Sequence, residues 1–107
     1  MPKVFNIKRN APDTAVLIDR RTEAGNPFIL YDEHDTDERN VVCDQYEEWL
    51  KEWYEKGREV SLRIRGRVYS NKTAYTFIIT HLRGKDVKCW CAPKRCHGDT
   101  VIRLANQ

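Results

Sequence analysis

DVKCWCAPKRCHGDTVIRLA, residues 86–105, contains the pattern of a strand, a chain break and a helix in immediate succession. The residues at 86–91 follow a glycine turn and predict a strand. Pro93 ends that strand, because proline has no backbone N–H to donate. Residues 99–105 predict a short amphipathic helix, with Asp99 near its start as a cap. A strand end followed directly by a helix start brings the intervening side chains together.

The remainder of the chain predicts further strands and one long helix. Apolar–polar alternation at 3–8 and a short apolar run at 15–19 each predict a strand. Apolar residues at helical spacing predict a helix between Asp35 and Gly57. Asp35 followed by Glu38 has the pattern of a capping box.

The stretch 59–69 alternates with period two and predicts a strand with a basic face. We expect it to form a β-hairpin with 73–82, after a turn at 70–72. A short helix over 73–82, capped by Thr73, is the alternative. The side chains expected on the basic face are those of Ser61, Arg63, Arg65 and Arg67.

These elements predict one α/β domain over 1–107, with α+β as the alternative. We expect a short mixed sheet flanked by two or three helices, and we expect 58–81 to be an elaboration that contains the basic β-hairpin. At 107 residues and 40% hydrophobic composition the chain can bury only a modest core. This length excludes a two-domain enzyme, and no apolar run approaches the ~20 residues of a membrane span.

Charge is segregated along the chain behind a formal net charge of +3. Residues 32–55 hold ten acids and two bases, whereas residues 56–72 hold six bases and one acid. Solvated surface charge is the usual role of such residues. The alternative is a phosphate-binding stripe of Arg63, Arg65 and Arg67 that contacts nucleic acid.

The first ten residues have no apolar segment of the kind found in signal peptides. We therefore expect a cytoplasmic protein without a membrane partner, in which thiols stay reduced. The four cysteines, at 43, 89, 91 and 96, are then expected to be thiols or metal ligands rather than disulfides.

One interpretation of the cysteine cluster is a zinc site. Cys89, Cys91, Cys96 and His97 provide a Cys3His set of the kind that binds tetrahedral zinc. Their spacing differs from the usual C-x-x-C pattern, and adjacent side chains reach one ion with difficulty. His81, His34 or water is the alternative fourth ligand.

Two further interpretations concern catalysis and ligand binding. Cys96, at a helix start beside basic residues, has the setting of a lowered thiol pKa, with His97 or His81 as a base. In the other interpretation the start of the last helix forms an anion-binding corner. Polar side chains from the loop at 20–27 approach this corner. Its expected ligand-binding residues are Arg20, Arg21, Asn26, Arg95 and Asp99. The plainest alternative is a buried structural cluster.

The sequence also resembles an uncharacterised family of small domains found in phage and bacterial genomes. The resemblance is carried by Gly25–Phe28 (GNPF), by YEEWL at 46–50, by LRGKD at 82–86 and by CWCAPKRCHGD at 89–99. It spans nearly the whole chain and implies a compact α/β domain, phage-encoded and acting in the host cytoplasm. It implies no activity. The family carries an aromatic residue where this chain has Ala24, and that difference predicts a more open site.

Together these observations predict a phage-type domain that binds a nucleotide or another phosphate-bearing ligand. The expected site lies between Arg20, Arg21, Asn26 and the corner at 96–99. An enzymatic activity on nucleotides or modified bases stays open. The alternative function is a zinc-stabilised module that binds nucleic acid or a host protein.

Overall fold

The computed structural model describes residues 2–19, 21–32, 34–90 and 94–107. This part of the chain forms five strands and three helices. In chain order they are β1 (Val4–Asn6), β2 (Val16–Leu17), α1 (Thr36–Tyr54), β3 (Ser61–Ile64), β4 (Arg67–Ser70), α2 (Asn71–His81), β5 (Val87–Cys89) and α3 (Gly98–Ala105).

β5 is the central strand of a three-stranded parallel sheet with the order β1-β5-β2. Val87 pairs with Val4 on one side and with Val16 on the other. A strand with neighbours on both sides is buried, and Val87 is fully inaccessible to solvent. Because all three strands are parallel, their carboxyl ends meet at one edge of the sheet.

α1 confirms the helix predicted between Asp35 and Gly57. The Asp35 side chain accepts a hydrogen bond from the Glu38 backbone N–H. The capping box is only half formed, because the Glu38 carboxylate accepts from the backbone N–H groups of Tyr31 and Asp32 instead. The buried face of α1 contains Tyr46, Trp49 and Leu50, so the aromatic stripe is core.

The basic stretch at 59–69 is itself a hairpin rather than one strand. β3 and β4 are joined by Arg65 and Gly66, whose φ values of +52° and +80° match a type I′ turn. Arg63 lies opposite Val68, whereas Arg67 lies opposite Ile64. The prediction that the three arginines share one face is therefore wrong, since Arg63 and Arg67 lie on opposite faces of the ribbon.

The strand predicted first over 73–82 is also wrong, and the alternative helix is confirmed as α2. Its cap is Ser70, whose Oγ accepts from the Thr73 N–H, rather than Thr73 itself. Ala74, Ile78 and Leu82 face the core at helical spacing.

Asn71 ties α2 to the rest of the domain. Its buried amide donates to the backbone carbonyls of Trp49 and Arg58 and accepts from the Val60 N–H. The segment 58–81 thus contributes to the core; that it is an elaboration stays a prediction. The α/β class, the single domain and the short mixed sheet with flanking helices are confirmed. Within the described ranges, the helices are all too short or too polar to cross a bilayer.

Candidate functional site

A pocket of about 300 Å³ opens at the carboxyl ends of β2 and β5. It is bounded by the loop before α1, by the first half of α1, by the ends of the two strands and by the segment before α3. Its lining residues are Asp19, Asn26, Phe28, Leu30, Arg39, Val42, Cys43, Cys89, Trp90, Arg95, Cys96 and His97.

Asn26 holds the loop at 25–28 against α1. Its side-chain N–H donates to the Val42 carbonyl (3.2 Å), and its side-chain oxygen accepts from the Phe28 N–H (2.9 Å). The Phe28 ring then meets the Trp49 ring edge-to-face. Ala24 is fully buried in the core and does not line the pocket. That the small side chain at this position makes the site more open stays a prediction.

Asp19 follows β2 and forms one wall of the pocket. The Arg21 guanidinium binds this carboxylate in a fork, and the Trp90 indole N–H donates to it at 3.2 Å. Burial alone raises the pKa of Asp19, but the hydrogen bonds from Arg21 and Trp90 outweigh it and hold the pKa below its usual value. The carboxylate therefore stays ionised and fixed in position.

Two further guanidinium groups, those of Arg39 and Arg95, line the same pocket. Arg39, on α1, is only 5% exposed and donates to the Arg95 carbonyl at 3.4 Å. Arg95 binds Asp44 and Asn40 of α1. The hydrogen bond to Asp44 raises the pKa of Arg95. Both side chains therefore bring positive charge to the pocket at neutral pH.

The cysteine–histidine corner forms the pocket floor. The Cys89 and Cys96 sulfur atoms lie 3.0 Å apart, and the Gly98 N–H donates to the Cys96 sulfur at 3.3 Å. The His97 Nε2 lies 2.6 Å from the Ile18 carbonyl. Because a carbonyl only accepts, this nitrogen carries a proton and anchors the ring to the end of β2.

The GNPF stretch, through Asn26 and Phe28, and the described part of the cysteine stretch at 89–99 thus meet at one pocket. A family profile for a domain of unknown function, DUF4326, matches residues 5–107. The chain belongs to the DUF4326 family. No curated protein and no solved structure was found to be similar to this DUF4326 domain.

The predicted zinc site finds no support in the described part of the DUF4326 domain. Residues 2–19, 21–32, 34–90 and 94–107 contain no group of three or more histidine, cysteine or acidic side chains placed to hold a metal ion. Cys91 lies outside these ranges. His81, the alternative ligand, lines a different surface depression beside Phe77.

The pocket of the DUF4326 domain gathers five of the site residues predicted from the sequence. Those brought together are Asn26, Arg95, Cys89, Cys96 and His97. Arg21 is exposed and reaches the pocket only through Asp19, whereas Asp99 lies in another depression with Lys94 and Val4. Arg20 and Cys91 lie outside the described residues.

Sequence reasoning missed Asp19, Arg39 and Trp90 as site residues. Asp19 and Trp90 each follow the carboxyl end of a parallel strand, which is the edge where open α/β sheets commonly bind ligands, and this was a usable signal. Arg39 gave a weaker signal, because it is one of only two basic residues in the acidic stretch at 32–55. Nothing in the sequence predicted its burial.

Proposed function

We propose that this domain binds a nucleotide, or another small phosphate-bearing ligand, in the pocket between the loop at 25–28 and the cysteine–histidine corner. The two guanidinium groups at the pocket are the observation that carries the proposal. Arg39 and Arg95 both line the pocket, and the Asp19 carboxylate in its wall is bound by Arg21. A guanidinium group has five N–H donors, so Arg95 can keep its bond to Asp44 and still donate to an anion in the pocket. Guanidinium groups bind phosphate with two parallel hydrogen bonds.

The apolar part of the pocket supports a ligand larger than phosphate. Phe28, Leu30 and Val42 line it, and the Trp90 ring is half exposed at its edge. Such surfaces accept the flat face of a base or the body of a sugar. A volume of about 300 Å³ lies at the lower end of the range for ligand pockets, which favours a mononucleotide over a dinucleotide.

The proposal concerns binding and leaves several expectations as predictions. A catalytic role for Cys96 and His97 is one of them, and contacts from Arg20 and Asp99 to the ligand are others. Phage origin, action in the host cytoplasm and the zinc-stabilised module for nucleic acid or a host protein also stay predictions.

Thermal unfolding in the presence of nucleotides tests the proposal. A ligand at about ten times its Kd adds about 1.4 kcal/mol to the stability of the native state. For a domain of this size that raises the Tm by roughly 5–8 °C. We expect a nucleoside monophosphate to produce such a shift at millimolar concentration, and we expect the uncharged nucleoside to produce a much smaller one.

Two matched variants locate the binding site. Arg95→Gln removes a pocket cation, whereas Arg63→Gln removes the same charge from the exposed face of β3. We expect the first variant to lose most of the ligand-induced shift and the second to keep it. An absence of any shift with nucleotides and sugar phosphates, or an equal loss in both variants, would contradict the proposal.

A further inference from the structure

Two buried cysteines meet at the floor of the pocket although they belong to different elements. Cys89 is the last residue of β5, and Cys96 comes two residues before α3. Their side chains are almost inaccessible from outside the protein, yet their sulfur atoms lie 3.0 Å apart. The parallel sheet and the turn into α3 together hold the two thiols in contact.

The surroundings of the pair distinguish its two members. The Gly98 N–H donates to the Cys96 sulfur, so this sulfur acts as an acceptor. Cys96 also lies beside the N-terminus of α3, where backbone N–H groups and the helix dipole favour negative charge on sulfur. Either thiol can be the donor in the S–H···S contact, but the backbone N–H groups favour the thiolate at Cys96, which makes Cys96 the more nucleophilic sulfur.

Gly98 permits this arrangement. A Cβ atom at this position would lie 2.9 Å from a methyl group of Val4 and 3.1 Å from the Cys96 sulfur. Only a residue without a side chain lets the backbone N–H approach so closely. The approach is thus built into the local packing rather than being a chance contact of two side chains.

The pocket leads to the thiol pair. Cys89 and Cys96 line it, and Cys96 also lines the depression that contains Asp99. Thiols that border a pocket differ from cysteines that only fill the core, because a reactant that enters the pocket lies next to them.

We propose that Cys89 and Cys96 form a reversible dithiol–disulfide couple that reacts with low-molecular-weight disulfides entering the pocket. The Cys96 sulfur attacks one sulfur of the disulfide RSSR, which forms a mixed disulfide and releases RSH. The Cys89 sulfur then attacks the Cys96 sulfur, releases the second RSH and closes the protein disulfide. The two thiol protons leave with the two RSH molecules, so two thiols and RSSR become one protein disulfide and two RSH.

Peptide mapping after equilibration with bis(2-hydroxyethyl) disulfide and 2-mercaptoethanol tests the couple. Thiols that remain are alkylated, and the protein is digested with chymotrypsin and trypsin. Chymotrypsin cleaves after Trp90 and trypsin cleaves after Lys94 and Arg95, so Cys89, Cys91 and Cys96 fall on three different peptides. We expect the peptides of Cys89 and Cys96 to be joined, and we expect excess 2-mercaptoethanol to separate them again.

Serine variants provide the controls. Cys89→Ser should trap the mixed disulfide on Cys96, and Cys96→Ser should react at least ten-fold more slowly. Cys43→Ser and Cys91→Ser should leave the linkage intact, and circular dichroism verifies that each variant is folded. A linkage through Cys91 or Cys43, or two thiols that stay unmodified in the oxidising mixture, would overturn the proposal. Mapping the wild-type protein decides this even if a variant fails to fold.

Discussion

Gly98 connects the packing of the sheet to the chemistry of the pocket floor. A Cβ atom at this position would lie 2.9 and 3.0 Å from the two γ-methyl groups of Val4 on β1 and 3.1 Å from the Cys96 sulfur. These distances are shorter than side chains reach without displacing their neighbours. The absence of a side chain at Gly98 thus lets Val4 and Cys96 pack against the start of α3.

Gly98→Ala is expected to destabilise the domain by about 1–3 kcal/mol, because overpacking a core forces its neighbours to shift. Urea denaturation measures the loss. Val4→Ala removes the methyl groups that the new Cβ meets, so the loss caused by Gly98→Ala should be smaller in that background. Strict additivity of the two substitutions would show that the contact with Val4 is not the cause.

Asp19 makes the free energy of unfolding of the domain depend on pH. The pKa of its carboxyl is lower in the folded protein than in the unfolded chain, despite partial burial, because Arg21 and Trp90 donate hydrogen bonds to it. A lowered folded-state pKa stabilises the protein above the unfolded pKa of about 3.9. That stabilisation is lost as the pH falls through the folded-state pKa.

Asp19→Asn is therefore expected to lower the free energy of unfolding by about 1 kcal/mol at pH 7, a value discounted for solvent screening of Arg21. The difference from the wild type should shrink as the pH falls below about 4. Asp13→Asn, at an exposed acid in the turn before β2, is the matched control and should change little. An effect of Asp19→Asn that is equal at pH 7 and at pH 3 would contradict the assignment.

At the scale of elements, the β3–β4 hairpin shows how a turn changes which face of a ribbon the residues of an alternating pattern occupy. A two-residue turn pairs positions 64 and 67, which are an odd number apart. Residues of the same parity therefore fall on opposite faces before and after the turn. Arg63 and Arg67 are both at odd-numbered positions, but they lie on opposite faces of the hairpin because the turn separates them.

The α2 helix shows tertiary packing overriding residue propensity. The β-branched and aromatic residues at 73–82 favour a strand. Ala74, Ile78 and Leu82 nevertheless recur at intervals of four, and burying them together requires a helix. The cap at Ser70 and the buried amide of Asn71 fix where that helix begins.

Arg65→Asn is expected to stabilise the domain by about 0.5–1 kcal/mol. Arg65 has a φ of +52°, and asparagine tolerates this left-handed conformation better than arginine does. Thermal unfolding should therefore show a higher Tm. Arg63→Asn removes the same charge from a strand position, where asparagine is unfavourable, and should lower the Tm slightly. Equal shifts in both variants would mean that charge rather than backbone conformation is responsible.

At the scale of the whole molecule, the thiol pair and the cationic residues occupy one pocket. A ligand held by Arg95 would therefore cover Cys89. Cys96 also lines the depression that contains Asp99. We expect the proposed ligand to slow the reaction of Cys89 more than that of Cys96.

Adenosine 5′-monophosphate at about ten times its Kd is expected to slow alkylation of Cys89 by roughly the same factor. Cys96 should be protected less. Pulsed iodoacetamide labelling followed by peptide mapping measures both rates, with adenosine and the Arg95→Gln variant as controls. If the nucleotide raises the Tm but leaves the Cys89 rate unchanged, the ligand binds elsewhere. If it does neither, the failure lies with the proposed ligand, and the dithiol couple is tested separately.

The sequence predicted the elements whose signals are local. The Asp35 cap, the amphipathic stripe of α1 and the strand and helix around Pro93 all depend on neighbouring residues. It mispredicted the single strand at 59–69 and the second strand at 73–82. The structure of these two segments depends on which of their side chains are buried. That choice is made by contacts between distant parts of the chain.

By itself the sequence determined the α/β class and the positions of the GNPF and cysteine motifs, because periodicity, caps and turn residues act over a few positions. Tertiary structure alone decided that these motifs share one pocket, that Asp99 and Arg21 do not line it and that the buried Arg39 does. It also decided that Cys89 and Cys96 touch. These contacts join residues far apart in the chain, and only the docking of α1 and α3 against the parallel sheet sets their distances.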